Sequence, residues 1–260
     1  MTEVKTAVLL KIKKLSKFFG GLTAVANLDM VVREGEMVGL IGPNGAGKTT
    51  LFNLITGFLR PTAGRVLFEE KDITGLKPHT VARLGIGRTF QLNPLFADFT
   101  VLQNIIASFF LHPKSSLWAA YFNTSTYRHN EYQIGEQALE ILELLGLDRV
   151  KDNLARNLPH GYQKMLGIAR ALATRPKLLL LDEPLGGMNE DEIAFAMGII
   201  EKTRQQGISI LLVEHNMQIM DIVDRVVVMN FGQKVCEGTI EEVRENQQVV
   251  EAYFGIEEPA

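Results

Sequence analysis

Cys236 is the chain's only cysteine. No disulfide can form within the chain, and such sparing use suits a reducing compartment. Long apolar runs are missing too. The longest, over 178–181 and 208–213, are strand-sized, well short of the roughly 20 residues that cross a bilayer. Residues 1–14 alternate charged and apolar side chains without the apolar stretch of a signal peptide. Neither sign of charge dominates: 27 basic residues stand against 30 acidic ones, a net charge of −3. That balance gives no support for nucleic-acid binding. There is no internal repeat and no low-complexity tract. These absences predict a soluble cytoplasmic chain that meets a membrane only through a partner, peripherally on its inner face. At 260 residues it is long enough for one well-packed α/β domain, with or without an insertion.

What is present is a phosphate-binding loop. Gly42-Pro43-Asn44-Gly45-Ala46-Gly47-Lys48-Thr49 fits the spacing G-x-x-x-x-G-K-[ST], and it lies between an apolar strand and a helix. Glycines let the loop curl so that backbone N–H groups point inward, and the helix N-terminus adds positive potential. Lys48 is placed to reach the β- and γ-phosphates of a bound triphosphate. Thr49 offers a hydroxyl to Mg²⁺, and Thr50 belongs to the same cradle.

Periodicity around the loop alternates between the two classes of element. Strands are predicted over 8–15, 25–32, 37–41, 64–68 and 177–182, a loop over 16–21, and helices over 48–57 and 80–84. Residues 85–90 read as extended. Helical spacing returns over 100–110 and 131–145, with 112–130 a loop or partly helical insertion. A third helix begins near Pro159 and runs 164–173, with Asn157 or Asn153 as candidate caps. Then come a helix over 190–206, a strand over 208–213, a helix over 216–223 and a hairpin across 225–237. The fold class is α/β: a largely parallel sheet wrapped by helices, with an all-α subdomain inserted over about 92–166 and an N-terminal β portion.

The strand over 178–181 delivers Asp182 and Glu183 at its C-terminal end, where ligands bind in open α/β sheets. Asp182 would hold Mg²⁺. Glu183 would polarise the water that attacks the γ-phosphate.

A glutamate directly after the magnesium aspartate, together with the helical insertion, resembles the ATP-binding-cassette family over almost the full chain. The resemblance implies further roles. Phe19, in Lys17-Phe18-Phe19-Gly20, matches the aromatic that stacks on adenine. Gln91, in Arg88-Thr89-Phe90-Gln91, matches the glutamine that reaches Mg²⁺ and the attacking water. His215 matches the switch histidine at the γ-phosphate. Narrower segments, Thr89-Phe90-Gln91 through Asn104 and Pro184-Leu185-Gly186-Gly187-Met188-Asn189, resemble the ATPase subunits of branched-chain amino-acid importers, and of amide and urea importers. Two membrane permeases and an external solute-binding protein are the implied partners. The apolar side chains Leu92, Leu95, Phe96 and Phe99 fit either a docking groove for a short membrane-subunit helix or ordinary subdomain core.

One motif departs from the family. Its signature, Leu-Ser-Gly-Gly-Gln or Leu-Ser-Tyr-Gly-Gln, reads Leu158-Pro159-His160-Gly161-Tyr162 here. Pro159 lacks both the hydroxyl and the N–H that could bond a γ-phosphate. In the family each ATP lies between the phosphate loop of one chain and the signature of the other. Pro159, His160 and Gly161 would therefore serve the partner's ATP, which predicts an asymmetric heterodimer with Gly161 and Asn189 at its interface. Alternatives left open are a tolerated variation with normal turnover, a weakly hydrolysing regulatory subunit, and a cytosolic ATPase of this fold acting on ribosomes or DNA.

Overall fold

The computed structural model describes residues 6–91, 94–111, 124–214 and 221–249. Two sheets share the chain. The first is four-stranded and antiparallel, in the order β2-β1-β4-β5. It is built from β1 (Val8–Phe19), β2 (Leu22–Arg33), β4 (Ala63–Phe68) and β5 (Lys71–Asp72). The second is six-stranded, in the order β10-β9-β3-β8-β7-β6. Its strands are β3 (Met37–Ile41), β6 (Ile86–Arg88), β7 (Leu178–Asp182), β8 (Ser209–Val213), β9 (Arg225–Asn230) and β10 (Gln233–Gly238). All its neighbours pair in parallel except β9 and β10, which form the predicted hairpin.

Alternation along the central strands divides two cores. Leu178 and Leu180 of β7, Val38 and Leu40 of β3, and Leu211 and Val213 of β8 face a core shared with the antiparallel sheet and α1 (Lys48–Ile55). The residues between them, Leu179 and Leu181, Met37 and Ile41, Ile210 and Leu212, face a second core. That core is filled by α3 (Val101–Phe109), α4 (Ser125–Leu144), α5 (His160–Ala173) and α6 (Glu190–Gln205). Both faces are covered, so these strands read as continuous apolar runs. Short helices α2 (Pro78–Arg83) and α7 (Ile240–Arg244), with single 3-10 turns at Asp148–Val150 and Ala155–Asn157, complete the described elements.

Three sequence expectations are corrected. Residues 16–19 form no loop; β1 continues to Phe19, which pairs with Leu22. The polar residue that suggested a loop, Ser16, is buried, and its hydroxyl accepts from the Asn27 N–H at 2.9 Å, so its polarity is satisfied inside the sheet. The third helix starts at His160, next to Pro159 as expected, but its candidate caps are not the ones expected. Pro159 is its N-cap, extended at φ −54° and ψ 155°, and it follows an extended Leu158, as a residue before proline should be. The cap position falls to Pro159, with no side-chain cap bond, and not to Asn157 or Asn153. Finally, α4 begins at Ser125, six residues before the predicted start, because Thr124 accepts from the Tyr127 N–H and caps it there. The predicted helix over 216–223 falls largely outside the described residues.

Candidate nucleotide site

The phosphate-binding loop joins the C-terminal end of β3 to the N-terminus of α1. Gly47 caps that helix in the left-handed region at φ 101°, and a Cβ there would lie 2.4 Å from the Ala24 carbonyl oxygen. Only glycine fits. The loop borders a cleft of about 400 Å³ whose walls also include Phe19, Thr23, Gln91 and Glu183. Lys48 is buried, and its ammonium donates to the Gly42 carbonyl at 2.6 Å and the Pro43 carbonyl at 3.1 Å. Burial pulls its amine below the ordinary lysine value, with Glu183 and Asp182 opposing. Thr49 and Thr50 follow it on the cleft wall, after Asn44, Gly45 and Ala46. Phe19, at the end of β1, sits half-exposed at the rim with the Lys17 ammonium 4.9 Å from its ring centre.

The opposite wall comes from β7 and β6. Asp182 is buried at the end of β7, and its N–H donates to the Thr89 hydroxyl at 3.1 Å. Burial raises its carboxyl above the usual range, against the pull of Arg88, whose Nη2 lies 3.0 Å from Oδ2. Glu183 follows at φ 49°, a left-handed backbone on a non-glycine residue. Its carboxylate accepts from Gln91 Nε2 at 2.8 Å. Lys164, buried on α5, donates to two carbonyls, Glu183 at 3.1 Å and Gln91 at 3.3 Å.

The geometry thus brings Gln91 and Glu183 into direct contact in the cleft that holds Thr49, with Asp182 beside them in sequence. His215 and Leu92 lie outside the described residues. The signature residues sit elsewhere, at the N-terminus of α5. Gly161 is buried against the Glu192 carboxylate. His160 Nε2 donates to the Gly186 carbonyl at 3.2 Å, so the imidazole is tied to this chain's own β7–α6 loop. Asn189 caps α6, accepting from the Glu192 N–H at 2.9 Å.

Two participants were missed in the sequence: Arg88 and Lys164. Each had a signal. Arg88 ends a strand-length segment otherwise apolar, and Lys164 precedes Met165-Leu166-Gly167-Ile168-Ala169, whose helical spacing puts it on a buried face. A charged residue there must find partners inside.

A groove of about 290 Å³ opens between the sheet and the helical layer, with Phe58, Arg88, Phe90, Pro94 and Arg170 among its walls. Phe96 and Phe99 are exposed nearby with ring centres 5.1 Å apart, whereas Leu95 packs on the core.

No group of three or more His, Cys, Asp or Glu among the described residues is arranged to hold a metal. Magnesium keeps waters and phosphate oxygens and asks only one or two protein oxygens. Asp182, the Thr49 hydroxyl and the Gln91 side chain supply hard donors of that kind. No described helix is long and apolar enough to cross a membrane.

Residues 25–186 match the family described as ABC transporter. The high-affinity branched-chain amino acid transport ATP-binding protein BraF of Pseudomonas aeruginosa is 39% identical over 249 residues, 95% of this chain and 98% of that one. LivG of Salmonella typhimurium, which carries the same description, is 41% identical over 249 residues with the same coverage of 95% and 98%. Among solved structures, a nucleotide-free ATP-binding cassette from an ABC transporter has a TM-score of 0.83 at 35% identity, covering 96% of this chain and 100% of that one. The ADP conformation of the cassette MJ1267 has a TM-score of 0.83 at 36% identity, with the same coverage of 96% and 100%.

Proposed function

The chain belongs to the ABC transporter family, and from that premise we propose that it is the ATP-hydrolysing subunit of an importer for a small polar solute, branched-chain amino acids foremost. The single observation that carries the reading is the cleft itself. A phosphate-loop lysine and threonine share one cavity with a glutamine–glutamate pair in hydrogen-bond contact.

The roles follow from the chemistry of each group. Backbone N–H groups of 42–48 cradle the phosphates, and Lys48 leaves its loop carbonyls for the β- and γ-phosphate oxygens. Phe19, at the rim, stacks on adenine. Thr49, Asp182 and Gln91 would hold magnesium, which would neutralise charge on the phosphate oxygens. Glu183 orients the attacking water and accepts its proton, and Gln91 keeps that carboxylate aimed. His215 contacts the γ-phosphate.

A second cassette closes over the nucleotide, each chain lending its signature to the other's ATP, with Gly161 and Asn189 of this chain at the interface. We assign the helical layer the bounds 92–166 and the groove beneath it to a short helix of a membrane permease. Two permeases and an external binding protein complete the importer, on the inner face of the cell membrane. Closure performs work only because ATP binds the closed arrangement more tightly than the open one.

Glu183→Gln tests the core of this reading. In the assembled complex it keeps Mg·ATP binding while turnover falls by about 10²–10⁴-fold, the span of general-base catalysis. Unchanged turnover removes the assignment.

A further inference from the structure

The cation next to the magnesium carboxylate is not in the cleft. Arg88, on β6, is almost wholly buried, as is Asp182: their side chains are 5% and 3% exposed. One guanidinium nitrogen, Nη2, takes Asp182 Oδ2 at 3.0 Å. The other, Nη1, donates to Asn53 Oδ1 at 2.7 Å and to the Thr56 hydroxyl at 3.1 Å, at the C-terminal end of the phosphate-loop helix. Nε is buried with no hydrogen-bond partner. The plane of the group is held by rings instead. Its central carbon lies 4.7 Å from the centre of Phe90, 5.4 Å from Phe52 and 6.0 Å from Phe58.

These contacts run in one direction. Phe58 and Phe90 meet edge to face at 5.4 Å and wall the groove between the sheet and the helical layer. Arg88 lines that same groove on one side and grips Asp182 on the other. A guanidinium cannot shift toward a new ring or carbonyl in the groove without changing its hold on Oδ2, because its fork is planar and rigid. Groups that hold a metal's ligand in place act on metal affinity nearly as strongly as the ligands do.

We propose that Arg88 is a positioning residue through which the groove sets how tightly Asp182 holds magnesium. This rests on the cleft being a Mg·ATP site, and it adds a route from the docking groove to the metal that bypasses Gln91. An occupant that presses on Phe58 and Phe90 fixes the guanidinium and with it the carboxylate rotamer. Withdrawal of the occupant loosens both.

The test is a binding measurement on the purified full chain, with a fluorescent ATP analogue titrated in EDTA and then with magnesium added. Arg88→Met keeps nucleotide affinity in EDTA within about twofold and raises the half-saturating magnesium concentration by about tenfold, the low end of the effect of removing a metal ligand's support. Phe58→Ala touches neither Asp182 nor the cleft, and its ring is half-exposed in the groove. It raises the magnesium requirement by about threefold through the lost cation–π contact. A metal titration of Phe58→Ala that superimposes on the unmodified protein overturns the link, and this arm decides the matter should Arg88→Met fail to fold. An Arg88→Met titration equal to the unmodified one overturns it equally. Failure of the unmodified chain to bind Mg·ATP at all is a different result: it removes the functional reading, not the route.

Discussion

Glu183 sits on a backbone that its own side chain does not favour. Its φ of 49° is in the left-handed region, which costs a non-glycine residue on the order of 1–3 kcal/mol. The surroundings hold it there. Its N–H donates to the Val213 carbonyl at 2.9 Å, and its carbonyl accepts from the Lys164 ammonium at 3.1 Å. The same ammonium holds the Gln91 carbonyl, so one lysine on α5 sets the relative position of the glutamate and the glutamine. Lys164→Met frees both peptides. Turnover of the assembled complex then falls by about 10²-fold, the cost of misplacing a reacting group by an ångström, while the KM for ATP is unchanged. Lys164→Arg restores part of the rate. A raised KM at constant kcat would show that Lys164 serves binding and not alignment. At Gly47 the constraint is steric. Gly47→Ala strains a left-handed position by about 1–2 kcal/mol before the approach to Ala24 is counted, a loss visible as a lower denaturant midpoint. The glycine was legible because the loop motif demands it. Lys164 and Arg88 were not, because no local pattern states which partner a buried charge finds.

Helix boundaries show what the sequence could and could not carry at the level of elements. The parallel strands were legible since both their faces are buried, which leaves short unbroken apolar runs such as Leu178–Asp182. The 16–19 segment was misread because a serine buried in a sheet looks, in sequence, like a serine in a turn. Capping chemistry lies open in the letters. Thr100 with Gln103, Asn189 with Glu192 and Thr239 with Glu242 are reciprocal capping boxes at α3, α6 and α7. The Asn189 box gives an element-level prediction. Asn189→Ala removes the acceptor for the Glu192 N–H and lowers stability by about 1 kcal/mol, measured by chemical denaturation of the isolated chain. Asn189→Asp leaves stability near the starting value, since asparagine and aspartate cap almost equally well. The cap needs an oxygen, not a charge.

Pro159 joins the scale of the helix to that of the assembly. Within one chain it is the N-cap of α5, and it offers that helix no side-chain bond. Across a dimer it is the residue that would face the partner's nucleotide. Pro159→Ser therefore has two separable effects. In the isolated chain, serine supplies an acceptor for an orphan N–H of the first turn and raises stability by about 1 kcal/mol. That gain needs no partner and no nucleotide. In the assembled importer, the same hydroxyl gains access to the γ-phosphate of the ATP held by the other cassette. A hydrogen bond to a charged group is worth about 1.5–3 kcal/mol, so a site limited by its absence turns over faster by about tenfold or more. The rate should rise only when the partner's own glutamate is intact, because the restored bond lies on the partner's ATP. Pairing Pro159→Ser with Glu183→Gln in this chain separates the two sites: the serine still accelerates whatever hydrolysis the partner performs. If the denaturant midpoint rises and the ATPase rate of the complex does not, the proline is only a poor helix cap and has no catalytic consequence.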